Sequence, residues 1–278
     1  MKLQPQRVAA PDEILLNDAA STFEPADSLA HGHSVLMLPS IANADECQLL
    51  RAAASAAALR ARQSHDPKYA GHPSPAFEPS VQCVRMPAKV MFDADCTMLC
   101  EALLLRALSA LEAELPSVNN LLFGGDQIKS FFGNDQLCYS PGEPAINVYG
   151  TGGSFRPHED NEALTVLFNL SSGREYSGGG TNFWSLDDLR LASGQPIGAQ
   201  KSVSADSGTS DLANHIPPRH VVRPAAGTAL CFCGQVTHAA AQIVAGERCV
   251  FVASFTTARS PPVRRYVLRS ECNTGKQL

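Results

Sequence analysis

His158 and Asp160 are the residues of this sequence whose types and spacing first suggest chemistry. They end a hydrophobic stretch that predicts a β-strand, and residues i and i+2 of a strand point to the same face of its sheet. An imidazole and a carboxylate that reach one point provide two ligands of the 2-His-1-carboxylate arrangement, which holds Fe(II) and leaves positions open. Because such pairs also arise by chance, the prediction requires a second, distant histidine.

Three downstream histidines could complete the set: His215, His220 and His238. His215 lies in a polar segment in which little would hold it rigid, and the polar surroundings of His220 favour a surface position. His238 begins an apolar strand and stands ten residues before Arg248. An arginine on the inward face of an apolar strand is costly unless it meets an anion, and a guanidinium binds a carboxylate bidentately.

Together, these residues predict an oxidative metal site. His158, Asp160 and His238 would hold iron, an α-keto acid would chelate the metal, and its far carboxylate would pair with Arg248. One coordination position would stay free for O2. The same alternation places Glu159 on the opposite face, where we expect it to be solvated.

Further motifs of the second half follow one another in a set order. They are Asn147-Val148-Tyr149, Phe155-Arg156-Pro157-His158-Glu159-Asp160, Leu164-Thr165-Val166-Leu167-Phe168-Asn169-Leu170, Tyr176-Ser177-Gly178-Gly179-Gly180-Thr181-Asn182-Phe183, Val222-Arg223-Pro224, Gly227-Thr228-Ala229-Leu230, His238 and Gly246-Glu247-Arg248. As a set, over roughly residues 140–258, they resemble the Fe(II)- and 2-oxoglutarate-dependent dioxygenases of the prolyl 4-hydroxylase and lysyl hydroxylase superfamily. The resemblance implies that His158, Asp160 and His238 are the iron ligands and that Arg248 binds the C5 carboxylate of 2-oxoglutarate.

The resemblance also extends to residues around the cosubstrate. Tyr149 matches a tyrosine that often lines the cosubstrate pocket, and Thr165 matches a frequent threonine on the strand after the ligands. The chain departs from the family at two positions. Asn169 stands where prolyl hydroxylases often carry a tyrosine as a second carboxylate partner, and Cys249 stands where an aromatic residue is frequent.

The implied reaction hydroxylates a prolyl or lysyl side chain of a protein or peptide with O2, and it converts 2-oxoglutarate to succinate and CO2. L-Ascorbate is the implied reductant. Two alternatives stay open: the same chemistry on a small molecule or a nucleic acid, and a non-catalytic jelly-roll binding module. The nucleic-acid branch usually has a second arginine shortly after the position of Arg248, whereas residues 249–255 are apolar or small here.

Hydrophobic periodicity predicts the elements that position these residues. Strands are predicted at 34–39, 81–86, 127–132, 136–140, 145–149, 154–158, 163–170, 180–184, 219–223, 228–233, 236–244, 248–256 and 263–268. Many short strands without helices between them predict a mainly β fold with flanking helices and a double-stranded β-helix (jelly-roll) core. We expect an N-terminal extension at 1–30, helical support and first strands at 31–125, and the core at 126–270 with an inserted loop at 185–219.

Two helices are predicted before the core. One runs to about Arg62, is capped by Asn43 or Asp45, and has an inner stripe that contains Leu49 and Leu59. Leu104, Leu108, Leu111 and Leu115 form the apolar face of the other, which spans about 96–115. Residues 63–80 form a connecting loop that could cover the substrate or simply cross the surface.

Composition narrows the function classes. Hydrophobic residues make up 44% of the chain, charged residues make up 18%, and the net charge of −5 argues against a general nucleic-acid or anionic-membrane binder. No apolar run approaches a membrane span and no signal peptide is visible, so we expect no membrane partner and a cytoplasmic or nuclear protein. The nine cysteines show no disulfide spacing and are interpreted as small buried hydrophobic residues in a reducing compartment.

Overall fold

The computed structural model describes residues 12–17, 23–63, 82–125, 137–193, 212–257 and 260. The strands are β1 Asp12–Leu15, β2 Ser34–Leu38, β3 Cys83–Pro87, β4 Leu137–Tyr139, β5 Ala145–Tyr149, β6 Phe155–His158, β7 Leu164–Asn169, β8 Tyr176–Gly178, β9 Thr181–Phe183, β10 His220–Val222, β11 Ala229–Phe232, β12 His238–Ala240, β13 Ile243–Gly246 and β14 Arg248–Thr257. The helices are α1 Pro25–Ala30, α2 Ala44–Gln63, α3 Ala88–Met91, α4 Ala94–Glu114, α5 Val118–Phe123 and α6 Leu186–Ala192.

Two antiparallel sheets form the core of the fold. The major sheet has the strand order β1-β2-β11-β7-β14-β5-β3, with β4 paired to β14, and the minor sheet has the order β10-β9-β12-β6. Strands β13 and β8 form a separate pair. Phe183 of the minor sheet packs edge-on against Phe232 of the major sheet, with ring centroids 5.2 Å apart. The expected mainly β fold with a jelly-roll core is confirmed.

The central strands of the major sheet are buried on both faces, which explains why they are almost continuously apolar. On β14, Val250 lies in the core between the sheets, whereas Phe251 belongs to a second core on the other face. Helices α2 and α4 supply Leu50 and Leu104 to that second core. Full burial of such a side chain contributes about 1.5–3 kcal/mol.

Helix α4 buries the apolar face that was predicted from the sequence. Leu104, Leu108 and Leu111 are fully buried, and the Asp93 carboxylate caps the helix by accepting a hydrogen bond from the Cys96 N–H at 2.8 Å. Pro116 follows directly after the cap residue Leu115 and stops the helix, as expected from its sequence.

The predicted face of α2 is wrong. Leu49 and Leu59 are 51% and 53% exposed, whereas Leu50 and Ala54 are fully buried. In a helix so rich in alanine, the hydrophobic pattern hardly distinguishes one face from another. The close fit of small residues against the sheet therefore determines which face is buried. The cap was predicted correctly, because the Asn43 side chain accepts a hydrogen bond from the Glu46 N–H at 2.9 Å.

Several other elements differ from the sequence-based expectation. The strand predicted at 236–244 is divided into β12 and β13. Part of the expected N-terminal extension forms β1, which pairs with β2 at the edge of the major sheet. The segment expected as an inserted loop begins with α6, whose N-terminal N–H groups are capped by the Ser185 hydroxyl. The strands predicted at 127–132 and 263–268, and nearly all of the 63–80 loop, lie outside the described residues.

Among the described residues, the structure contains no helix with the length and apolar character that a membrane crossing requires.

Candidate active site

His158 and His238 face each other across the minor sheet. His158 ends β6, His238 begins β12, and the two residues are Cα partners in the antiparallel pairing of these strands. Their ring centroids lie 4.3 Å apart. His238 is 5% exposed and is also paired with Phe183 of β9, so it lies inside the sheet rather than at its edge.

Asp160 brings its carboxylate to both imidazoles. Its Oδ1 lies 3.5 Å from Nε2 of His158, and its Oδ2 lies 3.6 Å from Nε2 of His238. One ligand atom from each of the three residues falls within 4.8 Å of the other two. This convergence is what a metal bound by two histidines and one carboxylate requires.

Backbone contacts fix which nitrogen each ring presents. Nδ1 of His158 lies 3.0 Å from the carbonyl oxygen of Arg156, and Nδ1 of His238 lies 3.0 Å from that of Val236. A carbonyl oxygen only accepts hydrogen bonds, so each Nδ1 carries the proton and each Nε2 presents its lone pair to the centre of the cluster. Such contacts orient metal-binding histidines and set their tautomer.

The turn that carries Asp160 is held against the loop that leads into β12. The Asn161 N–H donates to the Gly234 carbonyl at 3.0 Å, and a Cβ on Gly234 would lie only 2.3 Å from the Glu162 carbonyl oxygen. Glu159, which was expected to be solvated, is instead half-buried and accepts a hydrogen bond from the Thr237 hydroxyl at 3.0 Å. The two segments that bear the cluster are therefore clamped together.

Thr165 supports the carboxylate from β7. Its hydroxyl is fully buried and donates to Asp160 Oδ2 at 2.6 Å, with the Ser254 hydroxyl 3.2 Å away. The resemblance had assigned this threonine to the surroundings of the cosubstrate. Its contact in the structure is with the carboxylate of the cluster.

The Asp160 and His238 side chains have protonation preferences that suit a cation, whereas burial lowers the pKa of His158 but the Asp160 carboxylate outweighs it and raises that pKa. Burial is the largest influence on Asp160 and opposes its ionisation, but His238 and His158 together hold the pKa of its carboxyl well below the ordinary value. Burial also lowers the pKa of His238 to about 4. At neutral pH this part of the site therefore offers an ionised carboxylate and a neutral imidazole.

Arg248 lines the cavity that contains the cluster. It begins β14 opposite Tyr149 of β5 and is only 1% exposed. Its guanidinium donates to the Gly180 carbonyl at 3.0 Å and to the Thr181 hydroxyl at 3.1 Å. A buried guanidinium with neutral partners is a ready site for an anion.

The cavity has a volume of about 190 Å³ and joins the cluster to Arg248. It is lined by Arg85, Asn147, Tyr149, Phe155, His158, Asp160, Leu167, Thr181, His238, Ala239, Ala240, Arg248, Val250 and Val252. Arg85 and Thr181 were not predicted from the sequence. Arg85 is, like Arg248, a cation inside an apolar strand, and this shared pattern could have indicated it as well.

The remaining candidates lie elsewhere. His215 is exposed, and Nε2 of His220 contacts the Leu15 carbonyl oxygen at 2.9 Å. Asn169 is fully buried, and its amide donates to the carbonyl oxygens of Ser171 and Pro224, both at 2.7 Å. Asn169 therefore ties two loops together at the position where the resemblance had suggested a carboxylate partner.

Comparisons with known proteins place this geometry in context. No family model and no curated protein matches the chain. Among solved structures, the non-heme α-ketoglutarate-dependent carbocyclase SnoK from nogalamycin biosynthesis is similar over 92% of this chain and 90% of its own, with a TM-score of 0.50 and 15% identity. This likeness shows that the two chains share a fold. The resemblance drawn from the sequence is thus confirmed at the level of the fold.

Prolyl hydroxylases are also similar. The structural match to a Pseudomonas putida prolyl-4-hydroxylase covers 84% of this chain and 96% of that enzyme, at 17% identity and a TM-score of 0.42. The match to a Trichoplax adhaerens prolyl hydroxylase covers 87% of this chain and 90% of that enzyme, at 12% identity and a TM-score of 0.44. That structure was solved in complex with a peptide fragment of a hypoxia-inducible factor.

Proposed function

We propose that the chain is an Fe(II)- and 2-oxoglutarate-dependent oxygenase. The observation that carries the proposal is the convergence of His158, Asp160 and His238 in a cavity that also contains the buried Arg248. Two imidazoles and one carboxylate are the ligand set of non-heme Fe(II) oxygenases. Bound there, iron and 2-oxoglutarate would supply the oxidative chemistry, in which O2 is used, a substrate C–H becomes C–OH, and succinate and CO2 are released.

The chain's own residues would bind and orient the cosubstrate. Arg248 would hold the far carboxylate of 2-oxoglutarate, and the hydroxyls of Tyr149 and Thr181 line the same part of the cavity. A guanidinium and a carboxylate form strong, charge-assisted hydrogen bonds when they are shielded from water. Phe155, Leu167 and other apolar side chains of the wall would exclude water from the reacting groups.

Thr165 and the two backbone carbonyls would keep the ligands in place. The Thr165 hydroxyl occupies one lone pair of Asp160 Oδ2, which limits rotation of the carboxylate. The carbonyls of Arg156 and Val236 hold the two rings in the tautomer that presents Nε2. Pre-positioned ligands of this kind support both metal affinity and catalytic geometry.

The proposed substrate is a prolyl or lysyl side chain of a protein or peptide, with L-ascorbate as the reductant. The resemblance of the sequence motifs to prolyl and lysyl hydroxylases supports this choice. A small-molecule substrate is the second candidate, because SnoK, the structure with a similar fold, is a carbocyclase of nogalamycin biosynthesis.

The test measures succinate formed from 2-oxoglutarate by the Fe(II)-loaded protein, with peptides that contain proline or lysine and with a set of small molecules. We expect substrate-dependent succinate formation that His158→Ala abolishes. Protein that binds Fe(II) and 2-oxoglutarate tightly but forms no succinate with any substrate would instead indicate a binding module. Protein that binds neither would refute the proposal.

A further inference from the structure

A second guanidinium lines the cavity, and the proposed metal and cosubstrate do not account for it. Arg85 lies on β3, the edge strand of the major sheet, as the Cα partner of Asn147 in β5. Its side chain is 18% exposed, and both Arg85 and Asn147 belong to the cavity wall. An arginine so little exposed normally has a definite partner.

Two protein contacts hold the Arg85 guanidinium in one orientation. Its Nη2 forms a close ion pair with Oε1 of Glu143, and its Nη1 donates to Oδ1 of Asn147 at 3.3 Å. The other oxygen of Glu143 accepts a hydrogen bond from the Ser254 N–H. A guanidinium has five N–H groups, so these contacts leave donors to spare, and Nε has no partner among the described residues.

Arg85 and Arg248 occupy different places along the cavity. Strand β5 lies between β3 and β14, so the two arginines are two strands apart, or roughly 10 Å. Arg248 is paired with Tyr149, whereas Arg85 is paired with Asn147, two residues away on the same face of β5. A cosubstrate held by Arg248 and the metal therefore leaves Arg85 for another group.

Counting charges indicates what that group is. Arg85 and Glu143 form an ion pair that offsets both charges: burial raises the pKa of the Glu143 carboxyl, and the Arg85 guanidinium opposes that rise. A divalent metal, Asp160 and Arg248 together carry two positive charges, which a 2-oxoglutarate dianion cancels. A carboxylate on the substrate would add an unpaired charge to a buried site, which is costly, whereas a carbonyl oxygen accepts hydrogen bonds without that cost.

We infer that Arg85 orients the primary substrate by donating a hydrogen bond to a neutral carbonyl oxygen of an amide or an ester. The inference rests on the proposed function, because the charge count includes the metal and the cosubstrate. The apolar remainder of the wall, which includes Leu167, Val252 and Ala240, fits a hydrocarbon segment beside that carbonyl. A few fixed donors in an otherwise apolar cavity set the orientation of a ligand.

The test compares paired probes that differ only in whether they carry a neutral amide carbonyl or a carboxylate. The full chain is loaded with redox-inert Zn²⁺ and 2-oxoglutarate, and binding of N-methylamides of short aliphatic carboxylic acids and of the matching free acids is measured by saturation-transfer NMR. We expect at least one amide to bind about tenfold more tightly than its acid, as one hydrogen bond to a charged group predicts. We expect Arg85→Gln to remove this preference and the exposed Arg174→Gln to retain it.

Removal of Arg85 leaves Glu143 buried without its partner, so the single variant could unfold. Arg85→Gln combined with Glu143→Gln avoids the unpaired carboxylate, and its melting curve establishes that it is folded. The inference is overturned if no probe binds, if the acids bind more tightly, or if the preference survives in the double variant. Failure of the wild-type chain to bind Zn²⁺ and 2-oxoglutarate would refute the proposed function instead.

Discussion

His158 and His238 are opposite one another in the pairing of β6 with β12, and their Nε2 atoms lie 3.5 and 3.6 Å from the two oxygens of Asp160. The separation of the two imidazoles is therefore set by the hydrogen bonds of the sheet and does not depend on a loop. Ligands placed by regular structure are held more precisely than ligands placed by loops.

The first prediction concerns the cluster itself. His158→Ala removes one of three protein ligands, so we expect binding of Co²⁺ or anaerobic Fe²⁺, measured by calorimetry, to be lost. The control is His220→Ala, because His220 lies on β10 and contacts a backbone carbonyl away from the cluster. Equal metal affinity in wild type and His158→Ala would show that the cluster is not the metal site.

The second prediction concerns the hydroxyl behind Asp160. Thr165→Val keeps the volume but removes the 2.6 Å hydrogen bond to Oδ2, so the carboxylate is held less firmly. We expect metal affinity to fall by about tenfold to a hundredfold, the usual effect of losing a partner of a ligand. Thr228→Val, which changes another buried threonine, serves as the control and should leave metal affinity unchanged. Unchanged affinity in Thr165→Val would mean that the contact does not position the ligand.

The site could be predicted in part because two physical rules apply to single residues. The two-residue spacing of His158 and Asp160 predicted that they reach one point, although β6 ends at His158 and Asp160 lies in the turn that follows. The cost of burying a cation singles out Arg248. The structure brings these residues and His238 to one cavity. Their roles as metal ligands and as the cosubstrate partner stay predictions.

What the sequence could not reveal depends on pairing between distant strands. Arg85 lies beside Asn147 only because β3 pairs with β5, and no local pattern predicts that register. The buried face of α2 was also missed, because the alanines that follow Leu50 along the helix give no clear hydrophobic stripe. Thr165 was recognised by resemblance, but its bond to Asp160 emerges only from the packing of β7 under the site.

A third prediction tests the interpretation of the cysteines. Burial raises the pKa of Cys47 to about 11 and that of Cys100 to about 12, which suppresses the reactive thiolate at pH 8. Cys138 is exposed. Since Cys272 lies outside the described residues, the measurement uses a Cys272→Ser background and a colorimetric disulfide reagent. We expect one thiol to react rapidly, and Cys138→Ser to abolish that reaction. Rapid reaction of several thiols would contradict the burial of the others.

The last prediction separates cosubstrate binding from metal binding. Arg248→Lys keeps the positive charge but loses the planar fork that reaches the Gly180 carbonyl and the Thr181 hydroxyl. Losing one hydrogen bond to a charged group costs about 1.5–3 kcal/mol, so we expect 2-oxoglutarate affinity to fall at least about tenfold. Metal affinity without 2-oxoglutarate should stay the same, because the contacts of Arg248 are with Gly180, Thr181 and Asn169 rather than with the cluster. Calorimetric titration of each ligand, with the exposed Arg174→Lys as the matched control, measures both quantities. Wild-type affinity for 2-oxoglutarate in Arg248→Lys would place the far carboxylate elsewhere in the cavity.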